Sequence, residues 1–126
     1  MDRILVAVDD SAPSLAAAAH AIEFVRQRPA ELRFATVHEP GQDGEGVLRH
    51  VVALARAAGL TATSVVCHAE HPFEALLAEA DRWHADLVVM GRSDMRRPGQ
   101  RYVGNQTEHL LEFTTIPVLV VPAAER

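Results

Sequence analysis

Leu87-Val88-Val89 is apolar at every position, and so is Val118-Leu119-Val120-Val121. A strand with one face in water alternates apolar and polar residues, whereas a strand covered on both faces reads as a continuous apolar run. Strands of the second kind are typical of parallel sheets that carry helices on both sides. The two stretches therefore predict a buried, parallel sheet.

Outside these stretches the chain alternates short apolar runs with segments that fit helices. The apolar runs cover residues 3–8, 32–37, 63–67, 86–90 and 117–121. The helix-compatible segments cover residues 14–26, residues 47–58, a stretch opened by Pro72, and about 106–113. A polar loop at 39–46 precedes the second of them, and Gly59 is a suitable cap at its end. Because parallel strands are joined by long, usually helical, right-handed crossovers, we predict one α/β domain over residues 1–126. Its sheet has five parallel strands with helices on both faces.

Composition excludes several classes of protein. The chain has 126 residues, of which 48% are hydrophobic and 23% charged, and its formal net charge is −5. A mildly acidic chain lacks the field expected for general nucleic-acid binding, and no apolar run is long enough to span a membrane. The single cysteine, Cys67, cannot build a disulfide framework. Since a strand-like run begins at Arg3, we expect no signal peptide and a cytoplasmic location.

The end of the first apolar run is one candidate site. Open parallel sheets bind ligands beyond the carboxyl ends of their strands, where the winding direction switches. Asp9, Asp10 and Ser11 follow the first run directly. Ser11 is a suitable N-cap for the next helix, and a carboxylate at this place could bind a ribose hydroxyl or approach a metal. The two roles are compatible, because different side chains would perform them.

The segment from Gly91 to Asn105 is a second candidate site. Gly91 ends the fourth run, where a residue without Cβ lets the backbone approach a ligand closely. Gly104 and Asn105 precede a helix, whose free N–H groups favour an anion. Four guanidinium groups between them could pair with phosphate oxygens: Arg92, Arg96, Arg97 and Arg101. The alternative is that Asn105 and Glu108 cap the helix and the arginines form a solvated loop.

The segment Cys67-His68-Ala69-Glu70-His71 contains residue types that bind metals. Alternation along a strand would send Cys67 and His68 to opposite faces of the sheet. A loop of mixed ligands is a weak metal-binding pattern. We therefore predict no metal site here, and we find no Ser–His–Asp grouping or paired acid and base that would indicate catalysis.

Three stretches together resemble the universal stress protein family over essentially the full length of the chain. They are the opening Ile4-Leu5-Val6-Ala7-Val8-Asp9-Asp10-Ser11, the run Ala85-Asp86-Leu87-Val88-Val89-Met90-Gly91, and the ending Ile116-Pro117-Val118-Leu119-Val120-Val121. The resemblance implies a Rossmann-like domain with strand order 3-2-1-4-5. It also implies a homodimer formed through the last strand, Val118 to Val121, an apolar edge that must be covered or paired.

Part of that family binds ATP through a Gly-x2-Gly-x9-Gly-(Ser/Thr) loop. On this chain the first glycine of the motif is Gly91 and the third is Gly104. Asp94 stands at the second glycine and Asn105 at the Ser/Thr position, so the motif is degenerate at two places. A carboxylate there adds repulsion beside a triphosphate, which the neighbouring arginines could offset.

The resemblance also implies contacts with two parts of a nucleotide. Asp9 would contact the ribose, and the backbone of Val37 would contact adenine. The nucleotide-binding residues implied in this way are Ala7, Val8, Asp9, Ser11, Val37, Met90, Gly91, Arg92, Asp94, Arg101, Gly104, Asn105 and Gln106.

Three functions follow from these features. The first is a stress-response binding or signalling module, not an enzyme, whose ligand would be an adenine nucleotide such as ATP with Mg²⁺. The second is a dimeric scaffold that needs no nucleotide and docks an unknown acidic protein partner on the arginine loop, residues 92–101. The third is a nucleotide phosphohydrolase, for which Asp9 or Asp10 would have to anchor a metal.

Overall fold

The computed structural model describes residues 2–9, 11–27, 30–68, 72–91, 110 and 112–122. The strands are β1 (Arg3–Ala7), β2 (Glu31–Val37), β3 (Ala62–Cys67), β4 (Leu87–Gly91) and β5 (Val118–Val121). The helices are α1 (Ala12–Arg26), α2 (Gly44–Ala57) and α3 (Pro72–Trp83). Leu110, Glu112 and Phe113 are also helical and belong to the helix predicted at about 106–113, whose first residues lie outside the described ranges.

The strands form one parallel sheet in the order β3-β2-β1-β4-β5. Both the parallel arrangement and the strand order expected from the sequence are confirmed. β1 lies in the middle, where Leu5 is opposite Arg33 of β2 on one side and Val88 of β4 on the other. The chain therefore winds outward from β1 in two directions, and the switch point lies at the carboxyl end of β1.

Helices cover both faces of the sheet, as predicted. Ile4 and Val6 of β1 belong to the apolar core beneath α1 and α2. Leu5, between them, belongs to the core on the opposite face, beneath α3 and Leu110. All three β1 side chains are 0% exposed. This two-sided burial explains why the strands read as continuous apolar runs.

The helix ends depend on local caps. α1 begins at Ala12, two residues before the predicted start, because the Ser11 side chain accepts a hydrogen bond from the backbone N–H of Ser14. α2 begins at Gly44 and not at the predicted residue 47, since the Asp43 carboxylate accepts from the N–H of Gly46 at 3.0 Å. Residues 39–43 of the stretch predicted as a loop are non-helical, whereas its last three residues form the capped first turn of α2.

The end of α2 agrees with the sequence prediction. Gly59 has φ +83°, a left-handed conformation that glycine adopts without a steric penalty. The N–H of Gly59 donates to the carbonyl of Arg56 at 2.9 Å, and the N–H of Leu60 donates to that of Ala55 at 3.1 Å. These two bonds form a Schellman motif, which satisfies the last carbonyl groups of the helix.

Asp86 joins the starts of β1 and β4 at the amino end of the sheet. Its Oδ2 accepts hydrogen bonds from the backbone N–H groups of Asp2, at 2.8 Å, and Arg3, at 3.0 Å. These bonds favour the ionised carboxylate and hold the pKa of Asp86 below its usual value.

Among the described residues, no helix is long and apolar enough to cross a membrane.

A buried carboxylate ties α3 to β2, and the sequence analysis did not single it out. Glu79 of α3 is 1% exposed. One of its oxygens accepts from Nη1 of Arg33 at 2.9 Å, and the other accepts from Arg82. The Arg33 guanidinium also lies 4.8 Å from the centre of the Trp83 ring. Residues three apart lie on the same face of a helix, and Glu79 comes three residues after the buried Leu76. Its neighbour Ala80 is buried as well. The sequence spacing therefore places Glu79 on the buried face of α3.

We expect Arg33→Met to lower the free energy of unfolding by about 2–3 kcal/mol, the cost of losing a hydrogen bond to a charged group, because among the described residues it leaves the buried Glu79 carboxylate with only Arg82 as a partner. The Arg82 side chain is 73% exposed, so Arg82→Met, the matched control, is expected to cost less than about 1 kcal/mol. Urea unfolding of both variants measures the difference. Equal losses would show that Arg33 is not the main partner of Glu79.

Candidate functional site

A cleft of about 160 Å³ lies at the carboxyl ends of β1, β2 and β4, beside the start of α1 and the loop that leads into α2. We call it the main cleft. Seven residues that the sequence analysis selected line it: Ala7, Val8, Asp9, Ser11, Val37, Met90 and Gly91. The fold thus brings together residues that are up to 84 positions apart in sequence. The other six selected residues lie outside the described ranges: Arg92, Asp94, Arg101, Gly104, Asn105 and Gln106.

A hydrogen-bonded turn forms the wall of the main cleft between β1 and α1. The N–H of Asp9 donates to the Ser14 hydroxyl at 2.6 Å, and the N–H of Ser11 donates to Oδ1 of Asp9 at 2.8 Å. The capping role expected of Ser11 is confirmed. Oδ2 of Asp9 accepts no hydrogen bond from any residue that the structure describes, and the side chain is exposed. The same carboxylate therefore supports the turn with one oxygen and offers the other to the cleft.

Gly91 lines the main cleft, and its missing Cβ also has a packing explanation. A Cβ atom placed on Gly91 would lie 2.5 Å from the backbone carbonyl carbon and oxygen of Pro13 and 2.8 Å from the backbone nitrogen of Ser14. Real side chains do not approach backbone atoms that closely. The absence of Cβ at Gly91 is thus explained by the packing of β4 against the first turn of α1, without any ligand.

The opposite wall of the main cleft, formed by β2 and the start of α2, carries residues that the sequence analysis passed over. They are Ala35, Thr36, Glu39, Gln42, Asp43, Gly44 and Val47. Glu39 and Asp43 are exposed carboxylates, and they make this side of the cleft unfavourable for a phosphate group. Among these residues, Thr36 could have been noticed as a possible site residue from the sequence, because it is a polar residue within the apolar run 32–37.

A second cleft of about 470 Å³, which we call the side cleft, adjoins the main cleft. The two clefts share Thr36, Glu39, Gln42, Asp43 and Gly44. The imidazole rings of His38 and His68 lie in it, with their centres 5.1 Å apart. The described residues contain no group of three or more His, Cys, Asp or Glu side chains that could hold a metal ion.

Cys67 and His68 lie on opposite faces of the sheet, as strand alternation predicts. Cys67 is buried in the core beneath α3, while His68 is exposed at the side cleft. Burial raises the pKa of the Cys67 thiol, and the positive charge of Arg82 partly opposes that rise. Cys67 is therefore a packing residue and not a partner of His68 in a metal site.

The sequence model of the universal stress protein family matches residues 1–122. The chain belongs to that family. The match covers all five strands, and it confirms the resemblance on which the expected strand order was based.

Solved structures agree with this assignment. This universal stress protein is 27% identical to a family member from Burkholderia pseudomallei, with a TM-score of 0.78 over 97% of this chain and 96% of that chain. It is 28% identical to a universal stress protein solved in complex with cAMP, with a TM-score of 0.77 and 98% coverage of both chains. A universal stress protein from Archaeoglobus fulgidus DSM 4304 is 26% identical, with a TM-score of 0.82, but this chain covers only 45% of it. A search of curated protein sequences returned no match.

The last strand of this universal stress protein is an edge of the sheet. β5 pairs with β4, and no described strand lies on its other side. Val121 is buried, Val118 and Val120 are half-buried, and Leu119 is 36% exposed. An apolar edge strand of this kind presents unpaired backbone groups that another strand could join.

We expect Gly91→Ala to destabilise the protein by about 1–3 kcal/mol, because the added methyl group would overlap the backbone of Pro13 and force β4 and α1 apart. Gly41→Ala is the matched control. A Cβ at Gly41 meets no atom within 4 Å, so that variant bears only the backbone penalty of its φ of +82°, about 1 kcal/mol. Thermal unfolding compares the two. A Gly91→Ala protein as stable as the wild type would refute the close contact.

Proposed function

We propose that this universal stress protein is a binding module that takes up an adenine nucleotide in the main cleft, and that it acts by binding and not by catalysis. The observation that carries the proposal is the meeting of Asp9, Val37 and Gly91 at the switch point of the sheet, the place where open α/β sheets bind ligands. The relative solved with cAMP supports an adenine ligand, since it is 28% identical over 98% of both chains.

The two walls of the main cleft suit the two ends of a nucleotide. Oδ2 of Asp9, which has no partner among the described residues, can accept hydrogen bonds from ribose hydroxyl groups. On the β2 side, the half-buried Val37 and the exposed carboxylates of Glu39 and Asp43 favour an uncharged base over phosphates. The base would therefore lie against β2, with the ribose between β2 and Asp9.

The phosphates of such a nucleotide would extend from Asp9 toward the segment that follows Gly91. The sequence of that segment contains Arg92, Arg96, Arg97 and Arg101, and guanidinium groups bind phosphate oxygens in bidentate fashion. Their positive charge would offset Asp94 at the second glycine position of the motif. Mg²⁺ would enter with ATP as part of the ligand, because divalent magnesium is usually held by phosphates together with one or two carboxylates.

We expect ATP with Mg²⁺ to bind the purified protein with micromolar or tighter affinity in isothermal titration calorimetry. Asp9→Ala should weaken binding about tenfold or more, because it removes a hydrogen bond to a charged group. Asp81→Ala, which removes an exposed carboxylate of α3, is the matched control and should bind like the wild type.

Two results would contradict the proposal. An absence of heat up to millimolar ATP and cAMP would favour the nucleotide-independent scaffold. Steady release of phosphate from ATP, abolished in Asp9→Ala, would instead show an enzyme. Because Asp9 also accepts from the N–H of Ser11, the melting temperature of Asp9→Ala must be compared with that of the wild type, so that a folding defect is recognised.

We also propose that the protein is a homodimer in which β5 edges of two chains associate. The support is the exposed edge of β5, with Leu119 partly exposed beside two half-buried valines. Light scattering coupled to size exclusion should give twice the 13.7 kDa of one chain. Leu119→Glu should shift the protein to the monomer, since a charge there would be desolvated on association. Leu54→Glu alters an exposed leucine of α2 and should leave the dimer intact. A monomeric wild type would refute this proposal.

A further inference from the structure

Thr36 has a buried hydroxyl group without a hydrogen-bond partner among the described residues. The residue is 4% exposed and is one of few polar residues in the core. None of the hydrogen bonds formed by the described side chains involves its hydroxyl, although neighbouring polar residues such as Ser14 are paired. Buried hydroxyl groups are nearly always hydrogen-bonded, so an unpaired one requires an explanation.

The position of Thr36 supplies that explanation. Thr36 lines the main cleft and the side cleft, so it stands in the wall between them. Its neighbours along β2, Ala35 and Val37, line the main cleft and offer apolar side chains. Thr36 is therefore the polar side chain that β2 itself contributes to an otherwise apolar part of the cleft, a composition typical of sites that orient a small ligand.

Gly44 controls the orientation of the Thr36 side chain. A Cβ atom placed on Gly44 would lie 2.9 Å from Cγ2 of Thr36 but 3.6 Å from Oγ1. The methyl group of Thr36 is thus packed against Gly44, and the hydroxyl group is turned away from it. A methyl group at position 44 would overlap that methyl, so the glycine leaves room for the side-chain orientation in which the Thr36 methyl faces α2.

The charge of the surrounding groups indicates which part of a nucleotide meets the hydroxyl. Glu39 and Asp43 line the same side of the main cleft as Thr36, and their negative charge disfavours phosphate there. The base is the uncharged part of a nucleotide, and its edge carries both donors and acceptors. A hydroxyl group can donate and accept, so it can pair with either kind of group.

We propose that the Thr36 hydroxyl forms the side-chain hydrogen bond that positions the base of the bound nucleotide. This inference rests on the proposed function and adds a specificity-determining residue to it. Ligand binding would supply a partner for a polar group that has none among the described residues. The bond would act on the nucleoside and not on the phosphates, so its removal should affect every adenine nucleotide alike.

The test uses Thr36→Val, which replaces the hydroxyl by a methyl group of similar size, and Thr36→Ser, which keeps the hydroxyl. Thr61→Val makes the same change at an exposed threonine before β3 and is the matched control. Calorimetric titration with ATP and with AMP measures affinity, and thermal unfolding without nucleotide measures stability.

We expect Thr36→Val to bind both ATP and AMP about tenfold more weakly, the loss that corresponds to one neutral hydrogen bond. Thr36→Ser and Thr61→Val should bind both nucleotides with an affinity within about twofold of the wild type. Both variants keep a hydroxyl group at position 36. Without nucleotide, Thr36→Val should melt at the same temperature as the wild type or higher, because it removes a buried group that has no partner.

Each other outcome overturns the inference in a recognisable way. Wild-type protein that binds neither nucleotide refutes the proposed function and this inference together. Wild-type binding with unchanged affinity in Thr36→Val refutes the inference alone. A loss for ATP but not for AMP would place the hydroxyl at the phosphates. A lower melting temperature of Thr36→Val, with unchanged affinity, would show that the hydroxyl has a structural partner such as a buried water molecule.

Discussion

The whole structure depends on the burial of β1 on both faces and along both edges. Ile4, Leu5 and Val6 are fully buried, and the backbone of the same strand pairs with β2 on one side and β4 on the other. A parallel strand in this position requires helices above and below it. It also requires the chain to leave in two directions, which opens a cleft beyond its carboxyl end.

The main cleft has two unlike walls because different elements build them. On the α1 side, backbone N–H groups and the side chains of Asp9 and Ser14 form a closed turn in which one carboxylate oxygen has no partner from the described part of the chain. On the β2 side, apolar residues surround a single buried hydroxyl, that of Thr36, and carboxylates stand at the rim. The proposed nucleotide would meet these two walls with its ribose and its base.

The packing of neighbouring segments explains two glycines of the main cleft, one inside a motif and one outside any motif. Gly91 belongs to a pattern associated with phosphate binding, yet a Cβ atom at this position would overlap the backbone of Pro13. Gly44 belongs to no pattern that the sequence analysis noted, yet it makes room for the methyl group of Thr36. In both cases the missing Cβ allows two segments to touch.

The sequence by itself determined the class of fold, because continuous apolar runs such as Leu87-Val88-Val89 have few uses outside a covered parallel sheet. It also determined the cap at Ser11 and the end of α2 at Gly59, since local residue types decide such caps. The start of α2 also follows from a local cap, that of Asp43, although the prediction placed it at residue 47. The ion pair of Glu79 with Arg33, and the burial of the Thr36 hydroxyl without a partner among the described residues, were decided only by the tertiary structure. Each depends on which residues lie nearby in space, and a single sequence without its fold does not contain those distances.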